Sequence, residues 1–216
     1  MSQARSGRRR DHKRESRRAG SRPAWLWIVG GVVLVAAAAL YFGASRSTGP
    51  STAGSSDDPR ITLVAGQSAP DFTLPSTAGP SVHLSELRSG SNVLLYFQEG
   101  IMCPPCWQQM RDLKRDAARL QELNTTLITI TVDPLDQLKA NVTREQVDGM
   151  TLLWDKDAVV SRTYQALYVS MHPGSRPGHT FILVSLEGKI LWRRDFQEMY
   201  VPDLTILDPV AKALGK

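Results

Sequence analysis

The stretch Cys103-Pro104-Pro105-Cys106 holds both cysteines of the 216-residue chain, three residues apart and just after the apolar run Val93-Leu94-Leu95-Tyr96-Phe97. A strand that hands over to a helix at this point places the pair on the helix's first turn. Side chains three apart on a helix are neighbours, with Cβ atoms roughly 5–6 Å apart. The Cα separation that a disulfide needs, about 4.4–6.8 Å, is then available without distorting the backbone. A bridge across so small a loop does little as a staple, because its effect on the unfolded chain grows with loop length. The pair therefore reads as a reversible redox centre rather than a structural crosslink.

Charge is distributed unevenly. The net charge of +5 conceals a balance of +7 in residues 1–44, where nine Lys/Arg face Asp11 and Glu15, and of −2 in the remainder. A nucleic-acid-binding domain carries its basic patch on the folded face, and this one does not. Residues 1–24 form a basic tail. Trp25 to Ala44 is an uncharged apolar run of 20 residues, the length of a transmembrane helix, with Trp25, Trp27 and Tyr41 near its ends as interfacial rings. The positive-inside bias predicts a single-pass protein of the cell membrane, its N-terminus cytoplasmic and everything after Ala44 outside. Cleavage as a signal peptide and a twin-arginine signal at Arg17-Arg18 are the competing readings. Residues 45–60 (SRSTGPSTAGSSDDPR) are too poor in apolar side chains to fold and read as a flexible linker.

Residues 61–216 are long enough to bury a core. Gly66 to Leu87 alternates short extended pieces with turns, and Val93–Phe97 reads as a buried strand. From Pro104 to about Leu123 the apolar positions Met110, Leu113, Ala117 and Leu120 recur at helical spacing. Leu127–Val132 is strand-like, and Asp133-Pro134 starts a helix carrying Leu135, Leu138 and Val142. Thr151–Trp154 is a short strand and Ala158–Leu167 a short helix. Thr180–Ser185 and Lys189–Arg193 form a hairpin around Glu187-Gly188. Pro202–Leu214 reads as a last helix that Pro209 kinks or breaks. This alternation predicts an α/β domain with a central mixed β-sheet flanked by helices.

Several segments, in order, resemble the redoxin branch of the thioredoxin superfamily, which includes thiol-specific antioxidant (AhpC/TSA-type) proteins and membrane-tethered thiol–disulfide oxidoreductases. The opening segment is Gly66-Gln67-Ser68-Ala69-Pro70-Asp71-Phe72-Thr73-Leu74, followed by Val82–Leu87, the Cys103–Cys106 motif, Thr131-Val132-Asp133, and Thr180-Phe181-Ile182-Leu183-Val184 with Gly188-Lys189-Ile190. The resemblance implies a thioredoxin-like fold preceded by one transmembrane helix, with the redox cysteine at a helix N-terminus. It also implies a cis-proline facing the pair, for which Pro177 is the candidate although it lies one residue early. Thiol peroxidases of this superfamily carry Pro seven residues and Thr or Ser three residues before the reactive Cys; counted from Cys103, those positions hold Tyr96 and Gly100.

The expected roles follow from thiol chemistry. Cys103 at a helix N-terminus is the nucleophile, since the dipole favours its thiolate. Cys106, one turn deeper, resolves the mixed disulfide. Pro105 offers no N–H to the Cys103 sulfur, which makes the pair more reducing. The sequence thus predicts an extracytoplasmic thiol–disulfide oxidoreductase that reduces protein disulfides, supplied by a membrane thiol-transfer partner and tethered to the lipid bilayer. The alternatives are a thiol peroxidase and, on the same fold, a copper-delivery protein. Glu99, Trp107, Pro177 and His179 are the candidate site-lining residues. No cofactor or metal is expected: a zinc site lacks ligands, and Trp107 stands where covalent haem attachment needs His.

Overall fold

A strict two-residue alternation in the central strand organises the domain. The computed structural model describes residues 58–216. Within it, β3 (Asn92–Phe97) is buried along its whole length, so both faces must be covered. Leu94 and Tyr96 point to one face, into a core with Trp107, Met110, Leu113, Phe181, Leu183 and Ile206. Val93, Leu95 and Phe97 point to the other, against Ile128, Ile130, Ile182, Val184 and Tyr164. Successive side chains on a strand face opposite ways, which makes β3 the shared wall of two cores.

Seven strands form one sheet in the order β2-β1-β5-β4-β3-β6-β7. Parallel pairing joins β3 to β4 (Thr125–Thr131) and β4 to β5 (Thr151–Trp154). On one side β6 (His179–Val184) and β7 (Ile190–Phe196) add antiparallel strands, and on the other so do β1 (Thr73–Ser76) and β2 (Gly79–His83). Short α1 (Leu84–Leu87) and α5 (Val159–Thr163) contribute Leu84 and Val160 to the second core. The first core is covered by α2 (Pro104–Arg115), α3 (Ala117–Glu122), α4 (Leu135–Arg144) and α6 (Leu204–Ala213). This is a thioredoxin-like α/β fold with a mixed central sheet.

Three local expectations change. The helix expected from Pro104 to Leu123 is two helices, broken at Asp116, whose backbone leaves the helical region (φ −90°, ψ 15°). The break lets Leu120 and Leu123 fold back onto the core that Leu113 enters. The helix expected over 158–167 stops at Thr163. Its start is fixed by a buried cap: Asp155 accepts from the Val160 and Ser161 amides at 3.2 and 2.7 Å. Conversely, α6 runs through Pro209 unbroken, because Ile206, Leu207 and Val210 bury its inner face. The segments expected as basic tail and transmembrane helix, and most of the expected linker, lie outside the described residues. Among the described residues no helix is long and apolar enough to cross a membrane.

Candidate active site

The pair forms a disulfide, Cα to Cα 5.3 Å, at the head of α2. Cys103 is the N-cap, and Pro104 and Pro105 occupy the first two helical positions. Proline is tolerated there because those amides have no intrahelical acceptor. The consequence reaches the sulfur. An N-cap side chain collects amides from the second and third helical residues, and here only the third has one: Cys106 N–H donates to Cys103 Sγ at 3.2 Å. Cys103 is 6% exposed and Cys106 wholly buried, so neither thiol stands free on an open turn.

Access runs through a pocket of about 320 Å³ lined by Glu99, Met102, Cys103, Pro104, Pro105, Met171, His172, Arg176 and Met199. Cys103 lines it and Cys106 does not. Four segments meet here: the 98–102 loop after β3, the head of α2, the 168–178 loop before β6 and the β7–α6 connection. Met199 from that connection packs on both cysteines.

Glu99 organises the pocket's wall. Its buried carboxylate accepts at Oε1 from Ser170 Oγ (2.7 Å) and the Met171 amide (2.6 Å), and at Oε2 from His172 Nδ1 (2.6 Å). Arg176 donates to the Glu99 carbonyl at 2.6 Å and to Asp133 Oδ1 at 2.9 Å. Asp133 Oδ2 in turn holds the Ile101 amide at 2.8 Å. Between these partners Gly100 sits at φ +104°, and a Cβ there would fall 1.6 Å from Asp133 Oδ2. The loop that presents Cys103 is therefore clamped from both sides.

The other expected lining residues lie elsewhere. Trp107 is not a docking surface: it is 1% exposed, its ring in the first core, because it follows Cys106 on the inward face of α2. His179 is buried in β6, between the rings of Tyr96, Phe181 and Phe196, with Nδ1–H donating to the Glu198 carbonyl at 2.6 Å. Burial pushes its pKa down to about 4, against the opposing pull of that hydrogen bond. Pro177 is not the cis-proline, since the described residues contain no cis peptide bond. It is buried but does not line the pocket. Sequence reasoning missed His172, Arg176, Met102, Met171 and Met199. Met102 adjoins Cys103 in the chain, but His172, Arg176, Met171 and Met199 reach the same pocket from the 168–178 loop and the β7–α6 connection, and no local pattern encodes that meeting.

The sequence profile of the AhpC/TSA family matches residues 65–193. The chain belongs to the AhpC/TSA family. Peroxiredoxin Bcp of Escherichia coli (strain K12) is 31% identical over 102 residues, 47% of this chain and 64% of that protein. The chain thus spans a little under two thirds of the length of such curated relatives. Among solved structures, peroxidoxin BcpB from Mycobacterium tuberculosis superposes with a TM-score of 0.61 at 21% identity, covering 71% of this chain and 97% of that one. A putative protein disulfide isomerase from Bacteroides thetaiotaomicron does so with a TM-score of 0.57 at 24% identity, covering 72% and 92%. At such identities the structural likeness carries the fold, to which this AhpC/TSA member conforms.

Proposed function

We propose that this chain is a thiol-dependent peroxidase in which Cys103 reduces a hydroperoxide and Cys106 resolves the product. The observation that carries the reading is the Cys103–Cys106 disulfide at the head of α2, opening through Cys103 onto a pocket, in a member of the AhpC/TSA family. In the first half-reaction the Cys103 thiolate attacks one peroxide oxygen, the O–O bond breaks, and a sulfenic acid forms. The Cys106 thiol then displaces water to close the disulfide. An external dithiol reopens it by exchange. The similarity to a peroxiredoxin supports this over the exchange-only reading expected from the sequence.

Disulfide exchange with protein thiols remains the second reading, favoured by one observation. The positions seven and three residues before Cys103 hold Tyr96 and Gly100, where the resemblance calls for Pro and a hydroxyl. Counting from Cys106 instead gives Glu99 and Cys103, but Cys106 is wholly buried and does not reach the pocket.

Single-turnover oxidation of the reduced chain separates the two. With stoichiometric cumene hydroperoxide, a Cys106→Ser variant is expected to accumulate a dimedone-reactive sulfenic acid at Cys103, and Cys103→Ser is expected to give none. Failure of peroxide to oxidise the dithiol, alongside rapid reduction of insulin disulfides, would establish exchange instead. In that case Cys106→Ser should trap mixed disulfides.

We further propose that residues 25–44 anchor the domain in a bilayer, with residues 61–216 extracytoplasmic and their reductant a thiol carrier of that side. The support is the length of the apolar run and the nine preceding basic residues. The full chain should resist carbonate extraction, and a chain lacking residues 1–57 should not.

A further inference from the structure

We infer that His172 is the general acid–base of Cys103, oriented by the buried carboxylate of Glu99. The inference deepens the reading of the pair as a reactive dithiol and rests on it. His172 Nδ1–H donates to Glu99 Oε2 at 2.6 Å. Because a carboxylate only accepts, that bond fixes the proton on Nδ1 and leaves Nε2 as the basic nitrogen of the ring. The ring lines the same pocket as Cys103. A nucleophilic sulfur and an imidazole lining one pocket, with a carboxylate on one nitrogen of that imidazole, are the groups by which hydrolytic cysteines are activated, recognised by role rather than by position in the chain; in the disulfide form the Cys103 sulfur is bonded to Cys106.

The surroundings restrict the assignment. Glu99 carries the one carboxylate bonded to the ring, and its other oxygen is held by Ser170 and Met171, so its position does not depend on His172 alone. From the same loop Arg176 also lines the pocket, but its guanidinium is committed to Asp133 and to the Glu99 carbonyl, and a guanidinium cannot take up a proton. Asp133, at the end of β4, is only 2% exposed and does not line the pocket. The β7–α6 connection contributes Met199, which is uncharged, and α2 contributes two prolines. His172 is thus the one pocket-lining group able to exchange a proton at its exposed face. Glu99 is its positioning residue.

The step balances. Cys103 Sγ–H passes its proton to His172 Nε2. The thiolate sulfur attacks the peroxide, an S–O bond forms and the O–O bond breaks. The sulfur is oxidised by two electrons and the peroxide reduced by two. The departing alkoxide takes the proton back from the imidazolium and leaves as the alcohol. In exchange chemistry the same nitrogen protonates the leaving thiolate, so the assignment does not depend on which oxidant the site uses.

The test is iodoacetamide alkylation of Cys103 across pH, in the full-length chain with Cys106→Ser so that one thiol reports. Adding His172→Gln leaves an amide donor for Glu99 but no basic nitrogen, and the side chain at 172 is 59% exposed, so the fold is retained. The expected result is alkylation slowed about tenfold at neutral pH, with the profile displaced to higher pH and the same plateau in alkali. Glu99→Gln should give a smaller displacement in the same direction. Superimposable profiles for the His172→Gln and parent chains would overturn the assignment. So would a profile that moves with Arg176→Gln and not with His172→Gln. Peroxide turnover and alkylation fail separately: an unreactive peroxide with a His172-dependent profile removes the peroxidase reading alone, and turnover with a His172-independent profile removes this one alone.

Discussion

At the scale of single residues, the same side-chain type serves two ends in this domain because its surroundings differ. His172 is largely exposed and bonded to a carboxylate, whereas His179 is enclosed by three aromatic rings and bonded to a backbone carbonyl. Burial depresses the His179 pKa from its ordinary 6.5 to about 4, so the folded chain keeps the ring neutral where the unfolded chain protonates it. Its contribution is complete above pH 6.5 and is lost as the pH falls towards 4, by roughly 3 kcal/mol from a shift of that size. His179→Phe preserves ring packing but strands the Glu198 carbonyl, a loss of about 1–3 kcal/mol at pH 7. Urea unfolding at pH 7 and pH 5 should show that loss together with a shallower decline towards acid than the parent shows. An equally steep acid decline would mean that His179 is protonated in the fold.

At the scale of elements, the head of α2 sets the chemistry of the pair. Its two prolines leave Cys103 with one amide donor, that of Cys106. Pro105→Ala restores the N–H of the second helical residue, the other amide an N-cap side chain can collect. A second bond to the sulfur stabilises the thiolate, hence the reduced form. The reduction potential should rise by about 30 mV, corresponding to roughly 1.4 kcal/mol of thiolate stabilisation. A glutathione redox titration measures this directly, and an unchanged potential would show that the missing amide is immaterial.

At the scale of the whole molecule, the β7–α6 connection fastens the site's cover to the body of α2. Tyr200 Oη–H donates to Asp112 at 2.9 Å, and Gln109 bridges the Val201 amide and Asp203, each at 2.9 Å. Burial first, then the hydrogen bond to Asp116 and the charges of Asp112 and Asp116, push the Asp203 pKa up to about 7, with Arg115 opposing. The folded chain therefore holds a proton there that the unfolded chain gives up near pH 4. The stabilisation is full below pH 4 and is lost as the pH rises through 7. Asp71 and Asp112 have lowered values, so their losses fall below pH 4, outside that window. Asp203→Asn should raise the melting temperature most at pH 8, less at pH 5, where the unfolded chain has already ionised, and leave it nearly unchanged at pH 3. Because both chains keep His179, its opposing acid effect cancels in the difference.

The sequence by itself determined the redox pair, the order of most helices and strands, and the mixed α/β class. These follow from local facts: two cysteines at helical spacing, the unbroken apolar run Val93–Phe97 of β3, and turn residues between apolar runs. It also carried the helix start at Pro104, since proline at the first helical positions is a local rule. What only the tertiary structure decided was the company those sulfurs keep. Glu99 and His172 are 73 residues apart and meet because the 168–178 loop folds back over the end of β3. Trp107 and His179 stand beside the site in sequence but belong to the core, because the inward face of α2 and the start of β6 are covered from the opposite side. A short-range pattern fixes which way a residue faces on its own element; which neighbour waits there depends on loop closures spanning half the domain.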